Sequence, residues 1–184
     1  MTTTEASVQI PAGVWDLDPS HSSVNFSARH LMVSKVRGRF TSFSGSITIA
    51  DDPLRSSVTA SIDAASIDSR DEKRDGHLKS PDFLDVDQHP TLTFASSAVR
   101  PDGDGSYTVH GDLTIRGTTR PVTLSLEYNG VQTDPWGGIR IGFDARTELS
   151  RKDFGLEWNV PLDGGGVLVG DKITIELEIE AVKK

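Results

Sequence analysis

Apolar and polar residues alternate with period two through most of the chain, the mark of strands with one buried face. In 24–30, Val24, Phe26 and Ala28 share a side opposite Asn25, Ser27 and Arg29. In 57–64, Val58, Ala60, Ile62 and Ala64 oppose Ser57, Thr59, Ser61 and Asp63. The segments 107–116, 122–129 and 139–149 repeat the pattern through Val109, Leu113 and Ile115, through Val122, Leu124 and Leu126, and through Ile141, Phe143 and Ala145. A last segment sets Ile173, Ile175, Leu177, Ile179 and Ala181 against Thr174, Glu176, Glu178 and Glu180. Weaker alternation predicts strands at 14–18, 38–50 and 91–99. Turn signals separate them at Asp51-Asp52-Pro53, Pro101-Asp102-Gly103-Asp104-Gly105, Arg116-Gly117-Thr118 and Asn129-Gly130.

The charged run Asp68–Leu78 breaks the alternation, and Pro81 follows it. Asp68 or Ser69 is a candidate cap for a short surface helix there, with acidic residues in its first turn. A second short turn is predicted at Pro81-Asp82-Phe83-Leu84. Residues 1–13 read as a flexible N-terminal extension and 14–184 as a single domain.

About eight antiparallel strands, each apolar on one side, must bury those sides together, as a sandwich or a closed barrel. The expected fold is all-β. In an outer-membrane barrel the polar faces would point inward, crowding Glu176, Glu178 and Glu180 into a narrow lumen, and only 3 Trp and 2 Tyr are available for aromatic girdles. The apolar sides are therefore expected to face in. A barrel of ~8 strands is just wide enough inside for side chains or for one small ligand. Small inward residues (Ala28, Ala60, Ala64, Gly111 and Ala145) beside Phe26, Phe94 and Phe143 fit either a hollow or ordinary core taper.

Composition narrows the function. Lys and Arg number 19 against 27 Asp and Glu, a net charge of −8. That balance argues against nucleic-acid partners and anionic membrane surfaces. The absence of cysteine excludes disulfides, thiol nucleophiles and Cys-type metal sites. No apolar run approaches the ~18 residues of a spanning helix, so membrane insertion is not expected. The first residues, Met-Thr-Thr-Thr-Glu-Ala-Ser-Val, lack the basic and apolar regions of a signal peptide, which gives a cytoplasmic expectation.

Six motifs in order then point to one family. They are Trp15-Asp16-Leu17-Asp18-Pro19-Ser20-His21-Ser22, Ala28-Arg29-His30-Leu31-Met32-Val33, Val36-Arg37-Gly38-Arg39-Phe40, Arg74-Asp75-Gly76-His77-Leu78-Lys79-Ser80-Pro81-Asp82-Phe83, Gly111-Asp112-Leu113-Thr114-Ile115-Arg116-Gly117, and Arg151-Lys152-Asp153-Phe154-Gly155-Leu156. Together, from Trp15 to Val182, they resemble the YceI-like, polyisoprenoid-binding family of bacterial lipocalin-like proteins. The second Phe often found after that family's Asp-Phe is Leu84 here. The resemblance implies an eight-stranded antiparallel lipocalin-like barrel with an elongated apolar cavity for a polyisoprenoid, an isoprenoid quinone tail or a fatty-acid-like lipid. It also admits a homodimer, although no residue here specifies an interface.

On that reading the protein binds, stores or transports its ligand without catalysis, and no cofactor is expected. The candidate lining residues are Val24, Phe26, Ala28, His30, Ala60, Ile62, Phe94, Leu113, Ile141, Phe143 and Phe154. His30, on the face of Val24 and Phe26, is a candidate for a head-group contact or for a hydrogen bond to a backbone carbonyl. The alternative is a small enzyme acting on an apolar substrate, with Asp75 orienting His77 as a general base. No nucleophile elbow accompanies that pair, so structural pairing is the plainer role. A third reading is an interaction module with a filled barrel and an open sheet edge. The five histidines, His21, His30, His77, His89 and His110, never stand at metal-binding spacing, and no metal is expected. Gly164-Gly165-Gly166 precedes no helix and reads as a flexible hairpin, while Arg151 and Asp153 are candidates to pair at a barrel corner.

Overall fold

A computed structural model of the protein describes residues 9–103 and 105–184. The chain runs through β1 (Gly13–Leu17), β2 (Ser23–His30), β3 (Ser34–Phe40), β4 (Phe43–Ile49), β5 (Ser57–Asp63) and β6 (Ile67–Asp68). The helix α1 (Glu72–Lys79) follows. Then come β7 (Thr91–Pro101), β8 (Ser106–Ile115), β9 (Thr118–Thr133), β10 (Ile139–Ser150) and β11 (Val169–Lys183).

Pairing turns these segments into a closed antiparallel barrel of eight staves. β2 pairs with β3 and β1 with β4, so β1–β2 and β3–β4 are the two arms of one long hairpin, each bent once. β5–β6 is a third bent stave, since β5 pairs with β4 and β6 with β3. The staves then follow chain order from β7 to β11, and β11 returns to pair with both β2 and β1. The bends have local causes. Pro19 has no N–H for a ladder, and Asp18 caps the short 3-10 turn Pro19–His21 by accepting from the Ser20 amide. Asp63 does the same for Ala64–Ser66 through the Ala65 amide.

Three expectations from the sequence change. The segment 38–50 is two pieces of one bent stave, broken at Thr41 and Ser42. The helix is capped by Asp71, which accepts from the Arg74 amide, and not by Asp68 or Ser69. Arg70 has a left-handed backbone (φ 62°) that stops the helix from starting sooner. Asn129-Gly130 is no turn. β9 runs through it to Thr133, and the register shift opposite Gly142 and Phe143 makes it a bulge, with Gly130 at φ 120°. The reversal comes at Asp134–Gly138, where the Asp134 carboxylate accepts from the Trp136 and Gly138 amides. Residues 1–8 of the expected N-terminal extension lie outside the described residues, whereas Ile10 packs onto the core.

Two apolar clusters close the barrel. At the helix end, Phe83, Leu84, Phe154 and Leu156 pack on Ala64, Ile67, Leu92, Leu113 and Ile115. At the far end, Trp15, Ile49, Ile141, Phe143 and Ala181 pack together.

Candidate ligand-binding cavity

Between the two clusters lies a cavity of about 380 Å³. It fits the size range of small-molecule sites, roughly 300–1,000 Å³. Inward-facing residues of every stave contribute to the wall, as period-two alternation requires. Ten of the eleven candidates line it: Val24, Phe26, Ala28, His30, Ala60, Ile62, Phe94, Leu113, Phe143 and Phe154. Ile141 does not. It faces inward as expected, but at 1% exposure it is consumed by the far-end cluster beside Trp15.

The small residues divide. Ala28, Ala60 and Ala145 face the cavity and help to keep it open. Ala64 is spent in the helix-end cluster. The space over Gly111 is filled by the Phe94 ring, and Phe26 covers Gly38 in the same way. At Gly38 and Gly111 the missing β-carbon is therefore a seat for a neighbouring ring, not a source of free volume.

Basic residues bordering the cavity are His30, Arg74, Arg151 and Arg29, the last with its side chain exposed on the outer face, and no carboxylate joins them among the described residues. Arg74 projects from α1, His30 ends β2, and Arg151 begins the 3-10 turn after β10, so these groups gather at the helix end. Among the described residues the His30 ring makes no hydrogen bond to the protein. Arg74 donates from Nε to the Ser69 hydroxyl (2.8 Å) and from Nη2 to the Ser69 carbonyl (2.7 Å).

Arg151 is 4% exposed and reaches four backbone carbonyls. Its Nη1 donates to Leu156 (2.7 Å) and Trp158 (2.9 Å), its Nε to Gly170 (3.0 Å) and its Nη2 to Val169 (3.3 Å). Burial pushes the guanidinium's pKa down, while Asp171, 3.6 Å away, opposes the shift. The expected Arg151–Asp153 pair is absent because that side chain turns inward to bind the segment between β10 and β11. In the same segment Leu162 and Gly166 form the expected Gly164–Gly166 reversal, bridged at Pro161 and Val167.

Asp75 and His77 do not meet. Two residues apart on a helix, they point to different sides. Asp75 accepts from the amide (2.8 Å) and hydroxyl (2.5 Å) of Ser69, which is 3% exposed. His77 pairs through Nε2 with Asp82 at 2.9 Å, and its ring stands edge-on to Trp158 (4.5 Å) and Phe83 (5.0 Å). The general-base dyad is not formed, and both residues act to fix α1 over the barrel end.

Asp18, His21 and Glu180 stand close enough to share a cation, but Arg140 already supplies one. Its Nη1 donates to Asp18 (2.7 Å) and Glu180 (2.8 Å), and its Nε to Asp134 (3.0 Å). Hydrogen bonds from the Ser20 hydroxyl, His21 and Arg140 hold the Asp18 carboxyl below the usual carboxylate range, and Arg140 is held above its own.

Alternation located the wall but could not rank its members. The long inward faces of β11 (Ile173, Ile175, Leu177 and Ile179), together with Ile10, Phe40, Arg74 and Arg151, line the cavity although none was among the candidates. The β11 alternation was signal enough for the first four. Arg151 carried only its place in the Arg151-Lys152-Asp153-Phe154 motif.

The YceI-like domain family model matches residues 15–181, almost the whole barrel. The chain belongs to the YceI-like family. A UPF0312 protein of Vibrio vulnificus is 39% identical over 172 residues, covering 93% of this chain and 87% of that protein. The crystal structure of Burkholderia cenocepacia BcnA matches with a TM-score of 0.76 at 25% identity, over 89% of this chain and 98% of that one. A polyisoprenoid-binding domain from Saccharophagus degradans, implicated in plant cell wall breakdown, matches with a TM-score of 0.71 at 15% identity, over 95% of this chain and 100% of that domain, and so shares the fold. The eight-stave barrel with a helix at one end is thus the YceI-like architecture.

Proposed function

We propose that the barrel binds one long apolar molecule, a polyisoprenoid, an isoprenoid quinone tail or a fatty-acyl chain, and stores or carries it without chemical change. The observation that carries this reading is the lengthwise cavity of about 380 Å³ walled by apolar side chains from every stave. A cavity of that kind gives water few partners and suits hydrocarbon. Each methylene moved out of water contributes ~0.8 kcal/mol, so a chain of a few isoprene units offsets the ordering cost of binding. The cationic wall at the helix end favours a ligand whose head is anionic or rich in acceptors, seated near His30 and Arg74. The separation of Asp75 from His77 removes the one general-base pair that an enzymatic reading invoked.

Native mass spectrometry of the gently purified protein tests this. A co-purified mass of roughly several hundred daltons, suited to a cavity of this size, is expected. Ala60→Phe, which puts a ring into the cavity, should abolish that mass while shifting the melting temperature by only a few degrees. A wild-type barrel that never carries or takes up geranylgeraniol, farnesol or palmitate would overturn the proposal, as would undiminished retention in Ala60→Phe.

A further inference from the structure

The hairpin joining β2 to β3 ends in Leu31, Met32 and Val33, which are 41%, 55% and 79% exposed. Leu31 and Met32 both have left-handed backbones, with φ of 52° and 62°. Tight hairpin turns with that geometry favour asparagine and glycine, because a bulky side chain is strained there. Strain and exposed apolar surface together oppose folding, and neither helps to close the barrel. The Leu31 amide donates to the Leu168 carbonyl, and the Leu168 amide to that of Val160, so the tip is tied to a strap that exposes Val160 at 43%.

The charge beneath this tip is opposite to that of the chain. From Arg29 to Arg39 there are four lysine or arginine residues and no acid, within a protein of net charge −8. Arg29, Lys35, Arg37 and Arg39 are all exposed and share the outer face of the hairpin. Arg29 stands directly across the ladder from Lys35, a like-charge pairing that is unfavourable without an anion nearby. Only Arg39 has an acidic partner among the described residues, Asp68 at 3.7 Å. Asp163 is the acid carried by the turn that Met32 approaches through Gly166.

We propose that this hairpin docks the barrel on an anionic lipid bilayer, with Leu31, Met32 and Val33 among the acyl chains and Arg29, Lys35 and Arg37 at the head groups. An apolar edge above a cationic ring suits an interface that is greasy within and negative at its surface. A second copy of the chain would need an interface of roughly 1,600 Å² in all, more than a protruding three-residue tip offers. His30 and Val36, on either side of the tip, line the cavity, so docking would bring the helix end of the hollow against the membrane. The inference goes beyond ligand binding and holds whether or not a lipid fills the barrel.

Vesicle co-sedimentation tests it with the whole chain. Strong binding is expected to equimolar phosphatidylcholine and phosphatidylglycerol, with little binding to phosphatidylcholine alone and a loss on adding salt. Met32→Asn with Val33→Ser should lower partitioning by tenfold or more on the order expected for lost acyl contacts, while leaving the melting temperature unchanged or raised, since asparagine tolerates a positive φ. Lys35→Glu should weaken binding by about fivefold or more, the usual share of one cation at such a surface. The emission of Val33→Trp should shift to the blue only with anionic vesicles. Wild-type binding that is absent or indifferent to lipid charge overturns the proposal, as does a double variant that binds like wild type. A protein that ignores vesicles but dimerises through the tip, losing the dimer in Val33→Asp, assigns the surface to self-association and equally overturns it. Failure to carry lipid in the mass-spectrometric test leaves these outcomes unaffected.

Discussion

The ring of Phe94 occupies the place where Gly111 would carry a β-carbon, which would stand 2.5 Å from Phe94 Cζ and 2.6 Å from the Ala95 carbonyl. The backbone contact cannot swing aside as a side chain can. Gly111→Ala should therefore lower stability by about 1–3 kcal/mol, the usual cost of overpacking a fitted core. Denaturant unfolding would show it as a lower midpoint with an unchanged slope. A neutral Gly111→Ala would mean that both the Phe94 ring and the strand at Ala95 can shift, against the tight fit described.

Arg151→Met should remove the hydrogen bonds to Leu156, Trp158, Val169 and Gly170 at once. A loss of ~3–5 kcal/mol is expected, as for other buried charges deprived of their contacts or contacts deprived of their charge. Arg151→Lys should recover little, because one ammonium cannot reproduce the planar fork. Amide exchange would report faster opening across 156–170 in both variants, and slow exchange there would contradict the assigned role.

Asp75 and His77 should differ sharply when removed. Asp75→Ala leaves the buried amide and hydroxyl of Ser69 without an acceptor, a loss of about 1–3 kcal/mol. His77→Ala breaks a half-exposed hydrogen bond to Asp82 and two edge-on ring contacts, for about 1 kcal/mol. Thermal melts of the two variants give the comparison, and equal losses would argue that the pair works as a unit after all.

The depressed carboxyl of Asp18 makes stability sensitive to acid. Its folded pKa lies below the unfolded value, so its contribution is complete above pH ~4 and is lost as pH falls through the folded value. Asp134, lowered by Arg140 and by the Gly138 and Trp136 amides, acts in the same direction. Urea midpoints should fall between pH ~4 and 2, and Asp18→Asn should flatten that slope while lowering stability near neutrality. A slope unaltered in the variant would place the acid sensitivity elsewhere.

Much of the architecture was legible because strand alternation is a direct print of burial. The inward sets around Phe26, Ala60, Leu113 and Phe143 all face the interior, and ten lining candidates reach the cavity. What alternation cannot encode is depth along a stave. Ile141 and Phe143 share a face two residues apart, yet only the second reaches the hollow, because Trp15 and Ala181 close over the first. Side chains that reach back over the chain were equally hidden. In the sequence Arg151 is expected to pair with Asp153 and Asp75 with His77, but Arg151 binds backbone carbonyls at Leu156, Trp158, Val169 and Gly170, and Asp75 binds Ser69. Asn129-Gly130 carried a strong turn signal, but the ladder to β10 overrode it and used its glycine for a bulge.

Closure of the ring by β1 and β11, where Trp15 faces Lys183, has a further consequence. Neighbouring staves can zip together early from short connections, but this last seam joins residues far apart in sequence and must form late. Until it does, two raw ladder edges remain open to any passing strand. Loosening the seam should thus leave each hairpin intact while making the chain prone to aggregate during folding, a hazard distinct from any loss of ligand.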